Sequence, residues 1–130
     1  MSPEFESPSW CTAWRVIGCL LLVALLALAL LPLPAVVTGE ILTDKVWHTL
    51  AFMLLMLWFA GLYPRRRYLV LFLLLLGYGV VMEFAQSLVP NRYAEVADLL
   101  ADMLGLLLGW GLALTRLHRW PLWLEQRFGA

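Results

Sequence analysis

Charge is scarce in this chain. Of 130 residues, nine are basic and nine acidic, and the formal net charge is zero. With no excess of positive charge, nothing marks a nucleic-acid partner, and the placement of the charges carries more information than their sum. Cysteine is nearly absent. Cys11 and Cys19 lie before and inside the first apolar run, which does not make a disulfide framework. Histidine is limited to His48 and His118. No internal repeat or low-complexity linker divides residues 1–130, which read as a single domain. Apolar residues are what the chain has in excess: 63% of it is hydrophobic, with a mean hydropathy of +0.84. A soluble domain is about 45–50% apolar, and one core of this size cannot hide the surplus. The solvent is therefore expected to be a lipid bilayer.

Four apolar segments are predicted as helices, at about Val16–Leu33, Lys45–Tyr63, Tyr68–Val89 and Val96–Thr115. Each is near the about 20 residues that cross about 30 Å of hydrocarbon. Pro32 and Pro34 close the first, and it carries no charge. A cleaved signal peptide would need a basic leader and an apolar core of about 7–15 residues. Here Glu4 and Glu6 precede Arg15 and the core is long, so a retained anchor is expected. Pro64-Arg65-Arg66-Arg67 and Pro90-Asn91-Arg92-Tyr93 read as tight hairpins. Placing the arginine cluster in the cytoplasm puts both termini there as well, together with Arg15, Arg116, Arg119 and Arg127. Residues Leu117–Phe128 mix tryptophan and leucine with charge and read as an amphipathic helix in the cytoplasmic interface, with Pro121 near its start. Trp10, Trp14, Trp110, Trp120 and Trp123, near segment ends, fit an interfacial belt. The expected fold is all-α: an integral membrane four-helix bundle with a short interfacial helix at the C-terminus.

This topology leaves a second polar set at the outer end. Asp44, Lys45 and His48 open the second segment, with Asp44 and His48 four apart on one face. Glu83 and Gln86 close the third, Asp98 and Asp102 open the fourth, and Arg92 lies between. At about 1.5 Å per residue, Glu83 lies about 21 Å along a helix counted from Leu69, and Asp102 about 9 Å into the fourth. Ionisable groups at such depth cost about 2.5–3.5 kcal/mol each at a helix centre and are expected to face the protein interior or a wet pocket.

Three readings of that set compete. A structural network would pair Lys45 and Arg92 with Asp44, Glu83, Asp98 and Asp102, but four carboxylates exceed two cations. Small residues usually serve as membrane glue, and Gly105-Leu106-Leu107-Leu108-Gly109 already supplies a small-xxx-small pattern, within or between chains. A metal site could draw on His48 and the carboxylates. With one histidine on this side, no Glu-x-x-His and no His-Glu-x-x-His, no metal or cofactor is expected. Nucleophilic catalysis has weak support, since Ser87 points away from Glu83 and no cysteine lies outside. Acid–base chemistry by His48, oriented by Asp44 or Glu83, stays open.

Asp44-Lys45-Val46-Trp47-His48-Thr49-Leu50-Ala51-Phe52 is similar to the D-K-x-x-H-x-x-x-F signature of the VanZ-like family. Glu83 and Gln86, then Pro90-Asn91-Arg92, Asp98, Asp102, Gly105 and Gly109, resemble that family's E-x-x-Q, P-x-R, D-x-x-x-N and G-x-x-x-G run. The two blocks cover roughly half the chain, Asp44 to Gly109. Asp102 departs from the pattern, standing where the family commonly has asparagine. The resemblance implies a four- or five-pass protein of the bacterial cytoplasmic (inner) membrane. It implies a link to low-level resistance to teicoplanin, a glycopeptide antibiotic with a fatty acyl chain that acts on lipid-anchored wall precursors. It carries over no catalytic residue.

The set Asp44, Lys45, His48, Glu83, Gln86, Arg92, Asp98 and Asp102 is thus the candidate site. One function it supports is binding or remodelling an amphipathic envelope ligand: a lipid headgroup, a lipid-linked wall precursor or a lipoglycopeptide. Arg92 and Lys45 would meet its phosphate or carboxylate, and His48 titrates near neutral pH in its unperturbed state. An enzyme acting on a lipid-linked substrate, with His48 as base, is the alternative. A buried network whose function lies in a protein partner is another. A small multidrug exporter is disfavoured because such proteins use a carboxylate deep in the first helix, which here has none. Membrane lipids are the expected partners, and a homodimer fits a shallow bundle.

Overall fold

The computed structural model describes residues 10–30, 41–89 and 96–128, with 41–44 as backbone. Helix α1 spans Cys11–Leu30, α2 Ile41–Ala60, α3 Tyr68–Ser87, α4 Val96–Ala113 and α5 Trp120–Phe128. Two short 3₁₀ turns, Arg65–Arg67 and Arg116–Arg119, lead into α3 and α5. Among the described residues everything regular is helical. Three helical stretches, Cys11–Leu30, Arg65–Ser87 and Val96–Ala113, are long and apolar enough to cross a membrane. The second apolar helix, Ile41–Ala60, contributes a fourth apolar run over its fully described residues, Lys45–Ala60.

The boundaries differ from the sequence reading where local chemistry intervenes. Helix α1 starts at Cys11 rather than Val16, because Glu125 of α5 accepts from Trp10 N at 2.8 Å and Trp14 Nε1 at 3.2 Å. Helix α2 stops at Ala60, before Gly61, where a Cβ would sit 2.4 Å from Trp120 Nε1. Pro64, extended at φ −69° and ψ 158°, turns the chain into the arginine turn. Helix α3 ends at Ser87 and α4 at Ala113. Thr115 stops α4, with extended ψ and a side chain that accepts from Leu117 N at 3.2 Å. The C-terminal segment is therefore a 3₁₀ turn followed by a nine-residue helix, with Pro121 buried at its second position. The hairpin residues 90–95 and the prolines Pro32 and Pro34 lie outside the described residues.

Helix α4 packs most extensively on α2, and α3 lies against both. Helix α1 leans on α2 and α3 more lightly, with Gly18 its one buried residue. The core is Phe52, Leu55, Met56, Tyr68, Leu75 and Leu106, each at most 5% exposed. Long apolar side chains such as Leu73, Leu74, Phe84 and Leu100 are more than half exposed. Exposed leucine in such numbers is stable only in an apolar solvent. The α2–α4 contact rests on two glycines. A Cβ at Gly105 would lie 2.2 Å from Thr49 O, and one at Gly109 2.6 Å from Met53 O. The small-xxx-small pattern therefore serves inside this chain.

The aromatic residues at the arginine end do more than mark an interface. Trp58 Nε1 donates to Trp14 O at 3.0 Å and Trp120 Nε1 to Leu57 O at 3.0 Å. The Trp58 and Trp120 rings lie 4.1 Å apart between centroids. These part-buried indole donors bind carbonyls of neighbouring helices, so the cluster pins α1, α2 and α5 together.

Because backbone cannot yield to a methyl group, Gly105→Ala is expected to lower stability by about 1–3 kcal/mol. Gly77→Ala, with nothing within 4 Å of the added carbon, should be neutral or stabilising. Thermal unfolding of both variants in one detergent decides between these outcomes. Equal melting temperatures would show that the glycine contact does not hold α2 on α4.

Candidate functional site

The site grows from helical spacing. On α2, Lys45, His48, Thr49 and Phe52 fall at i, i+3, i+4 and i+7, one face. On α4, Asp98, Ala101, Asp102 and Gly105 follow the same spacing and are all buried. The glycine contact lays these two faces against each other. Lys45 Nζ pairs with Asp98 Oδ1. His48 Nδ1 lies 2.8 Å from Asp102 Oδ1. Thr49 Oγ1 donates to Lys45 O at 2.9 Å and reaches Ala101 O at 3.3 Å.

Helix α3 closes the site from the third side. Glu83 is 6% exposed, and His48, Glu83 and Asp98 each offer a ligand atom within 4.8 Å of the other two. His48 Nε2 lies 3.9 Å from Asp98 Oδ2. Gly79 makes room for this. A Cβ there would lie 2.9 Å from Asp102 Oδ2 and 3.3 Å from the Phe52 ring. Asp102 has no exposed surface at all, and Asp98 is 5% exposed.

With Asp102 as a carboxylate, its oxygen can only accept, so His48 Nδ1 carries the proton. The lone pair then sits on Nε2, on the Asp98 side. An imidazole fixed in one tautomer by a carboxylate is the arrangement that general bases and metal-bound histidines share. The donor set of one imidazole and two carboxylates suits a divalent ion. The Lys45 ammonium already neutralises Asp98.

Five predicted site residues thus come together: Lys45, His48, Glu83, Asp98 and Asp102. Gln86 does not join them. Its Nε2 donates to Ala29 O at 3.0 Å, at the last turn of α1. Arg92 and the Asp44 side chain lie outside the described residues. The carboxylate on His48 Nδ1 is Asp102, while Glu83, one of the two carboxylates expected to orient His48, offers a ligand atom within 4.8 Å of it. Sequence reasoning missed Thr49 and Gly79. Thr49 follows His48 by one residue, and its hydroxyl bond to the carbonyl four residues back is a common helical habit. Gly79 shows its role only once Asp102 is seen beside it.

The two ends of the molecule differ chemically. Arg65 NH2 donates to Leu114 O at 3.1 Å, and the Arg15 guanidinium sits 4.9 Å over the Tyr63 ring. Among the described residues the arginines therefore gather opposite the carboxylate end. Lys45 and His48 of α2, the buried Glu83 of α3 and Asp98 and Asp102 of α4 come together at that other end. The family model described as VanZ/LLP1 matches residues 16–118. The chain belongs to the VanZ/LLP1 family. Neither curated proteins nor solved structures give a match. Family membership together with the three long apolar helices makes this a membrane-compatible helical protein.

Replacing Asp102 by the family's usual asparagine keeps an acceptor for His48 Nδ1–H and removes one buried charge. Asp102→Asn is expected to stay within about 1 kcal/mol of wild type, whereas Asp102→Ala strips the acceptor and costs about 1.5–3 kcal/mol. Unfolding curves of the two variants test this. Equal losses would mean that the charge, not the hydrogen bond, is what the fold uses.

Proposed function

We propose that this VanZ/LLP1 protein binds the polar head of an amphipathic envelope ligand at its carboxylate end, in the outer leaflet of a bacterial cytoplasmic membrane. A lipid headgroup, a lipid-linked wall precursor and a lipoglycopeptide share the required chemistry: an anionic group beside sugar or amide donors. The observation that carries this reading is the convergence of the buried Glu83, Asp98 and Asp102 with the half-buried Lys45 and His48 from three helices. Helix gluing alone does not call for it, because Gly105 and Gly109 already bring α2 and α4 to backbone contact. Arg92, next in sequence to the α4 end that carries Asp98, supplies the cation for the ligand's phosphate or carboxylate. The carboxylates orient the cations and accept from sugar or amide groups. The arginine-rich end, with both termini, then faces the cytoplasm by the positive-inside rule.

A second reading has its own observation. His48 held at 2.8 Å by Asp102 is poised as a general base toward a lipid-linked substrate, with Arg92 stabilising developing negative charge. It expects turnover that stops in His48→Ala while the protein still folds.

The first test is mass spectrometry of lipids that co-purify with gently solubilised wild type and with Arg92→Ala. An anionic or polyprenyl lipid enriched with wild type should fall about tenfold or more in the variant, the loss of one charge-assisted contact. The same unselective lipids from both would overturn the binding reading. Incubation of wild type with envelope lipids tests the second reading, and no product from any of them removes it.

A further inference from the structure

A second polar site lies at the opposite end of the molecule, and none of the residues discussed above for the carboxylate end takes part in it. A cleft of about 520 Å³ is lined by Arg65, Thr115, Arg116, His118, Arg119 and Trp123. It exists because the chain leaves α4 through a 3₁₀ turn. Such a turn has about three residues per turn, so positions three apart eclipse each other. Arg116 and Arg119 are three apart and form its two ends, so they project on one side. Thr115 fixes the turn: its hydroxyl accepts from Leu117 N at 3.2 Å, and its carbonyl accepts from His118 Nδ1 at 2.6 Å. Trp123, 43% exposed, stands one helical turn beyond Arg119.

The ordinary explanation for cations here is the end of a helix. The last carbonyls of α4 carry partial negative charge, and basic side chains settle beside them. Arg65 does this, donating to Leu114 O at 3.1 Å. One bond leaves most of its five donors for other partners. Arg116 and Arg119 line the cleft with it, and no carboxylate is among the described lining residues. The carboxylate of α5, Glu125, binds Trp10 N and Trp14 Nε1 instead. Three guanidinium groups around a cleft with no acid among its described lining residues repel one another, and an anion with several oxygens relieves that repulsion.

The geometry points to a binding site for a phosphate group, that of an anionic phospholipid of the arginine-side leaflet, held by Arg65, Arg116 and Arg119 with Trp123 at the glycerol level. The chemistry is phosphate recognition. The lipid is favoured as its source because Trp123 and the apolar face of α5 set the cleft at the depth where headgroups lie. Basic pockets of this kind at the cytoplasmic ends of membrane helices take anionic headgroups. The site acts as an anchor. It would fix α5 and the end of α4 against the membrane surface while the far end exchanges its own ligand.

The experiment uses the full chain in nanodiscs of phosphatidylcholine with phosphatidylglycerol, and native mass spectrometry of the lipid retained on release. Wild type should retain phosphatidylglycerol over phosphatidylcholine. Each cleft arginine removed should lower that preference about fivefold, so Arg116→Gln/Arg119→Gln should lose about twenty-five-fold. Arg116→Lys/Arg119→Lys, which keeps the charge, should retain most of it and serves as a check on folding. Arg66→Gln/Arg67→Gln removes the same charge from outside the cleft and should lose at least about fivefold less. Equal losses in the two glutamine pairs would overturn the site and leave only diffuse attraction to an anionic surface, and no preference in wild type would overturn it outright. Saturable binding of inorganic phosphate by wild type in phosphatidylcholine alone, lost in Arg116→Gln/Arg119→Gln, would uphold a phosphate site and assign it to a soluble phosphate instead.

Discussion

The approach of two backbones at Gly105 and Gly109 governs the rest of this molecule. Thr49 O and Met53 O sit where any side chain on those glycines would be. Contact at that distance fixes both the separation of α2 and α4 and their register, because shifting one helix by a residue would drive a larger side chain into a carbonyl. The register then decides which polar groups meet. Lys45 falls opposite Asp98 and His48 opposite Asp102 without further adjustment. A packing device with no chemistry of its own thus assembles the site.

In hydrocarbon no water competes for a donor, so each polar side chain must find its partner within the protein. Several here bind backbone carbonyls: Thr49 to Ala101, Gln86 to Ala29, Trp58 to Trp14 and Trp120 to Leu57. Tyr78 adds another, its hydroxyl donating to Leu22 O at 2.5 Å. All five cross between helices, and those to Trp14, Leu22 and Ala29 tie the lightly packed α1 to the others. The charged residues are treated differently. They are gathered at one end and enclosed, with Asp102 fully buried beside Gly79. Enclosure of charge is costly in such a medium. It is retained in a chain whose other inter-helix needs are met by glycines and neutral hydrogen bonds.

The arginine end follows another logic. Most of its cations are exposed, while Trp14, Trp58 and Trp120 are half-buried between the helices and hold them together. Glu125 reaches back to the start of α1 and joins α5 to it. A molecule with one end enclosed and acidic and the other open and basic presents different chemistry to the two faces of a bilayer.

The sequence alone determined the medium, the helical class, the chemical asymmetry of the two ends and the family signature, because hydropathy and charge placement are local properties. It also determined which residues share a face of each helix, since 3.6-residue periodicity is local too. Asp98 with Asp102, and Gly105 with Gly109, were legible that way. Partners across helices were not. The sequence could place Asp44 or Glu83 beside His48, and grouped Gln86 with the charges. Packing gave His48 to Asp102 and sent Gln86 to α1. Likewise the tryptophans read as a belt, and only the fold turned Trp14, Trp58 and Trp120 into a joint. Which side chains meet depends on helix register and crossing distance. Those are set by contacts between residues about 50 positions apart, such as Thr49 with Ala101 and Lys45 with Asp98, and no local pattern encodes them.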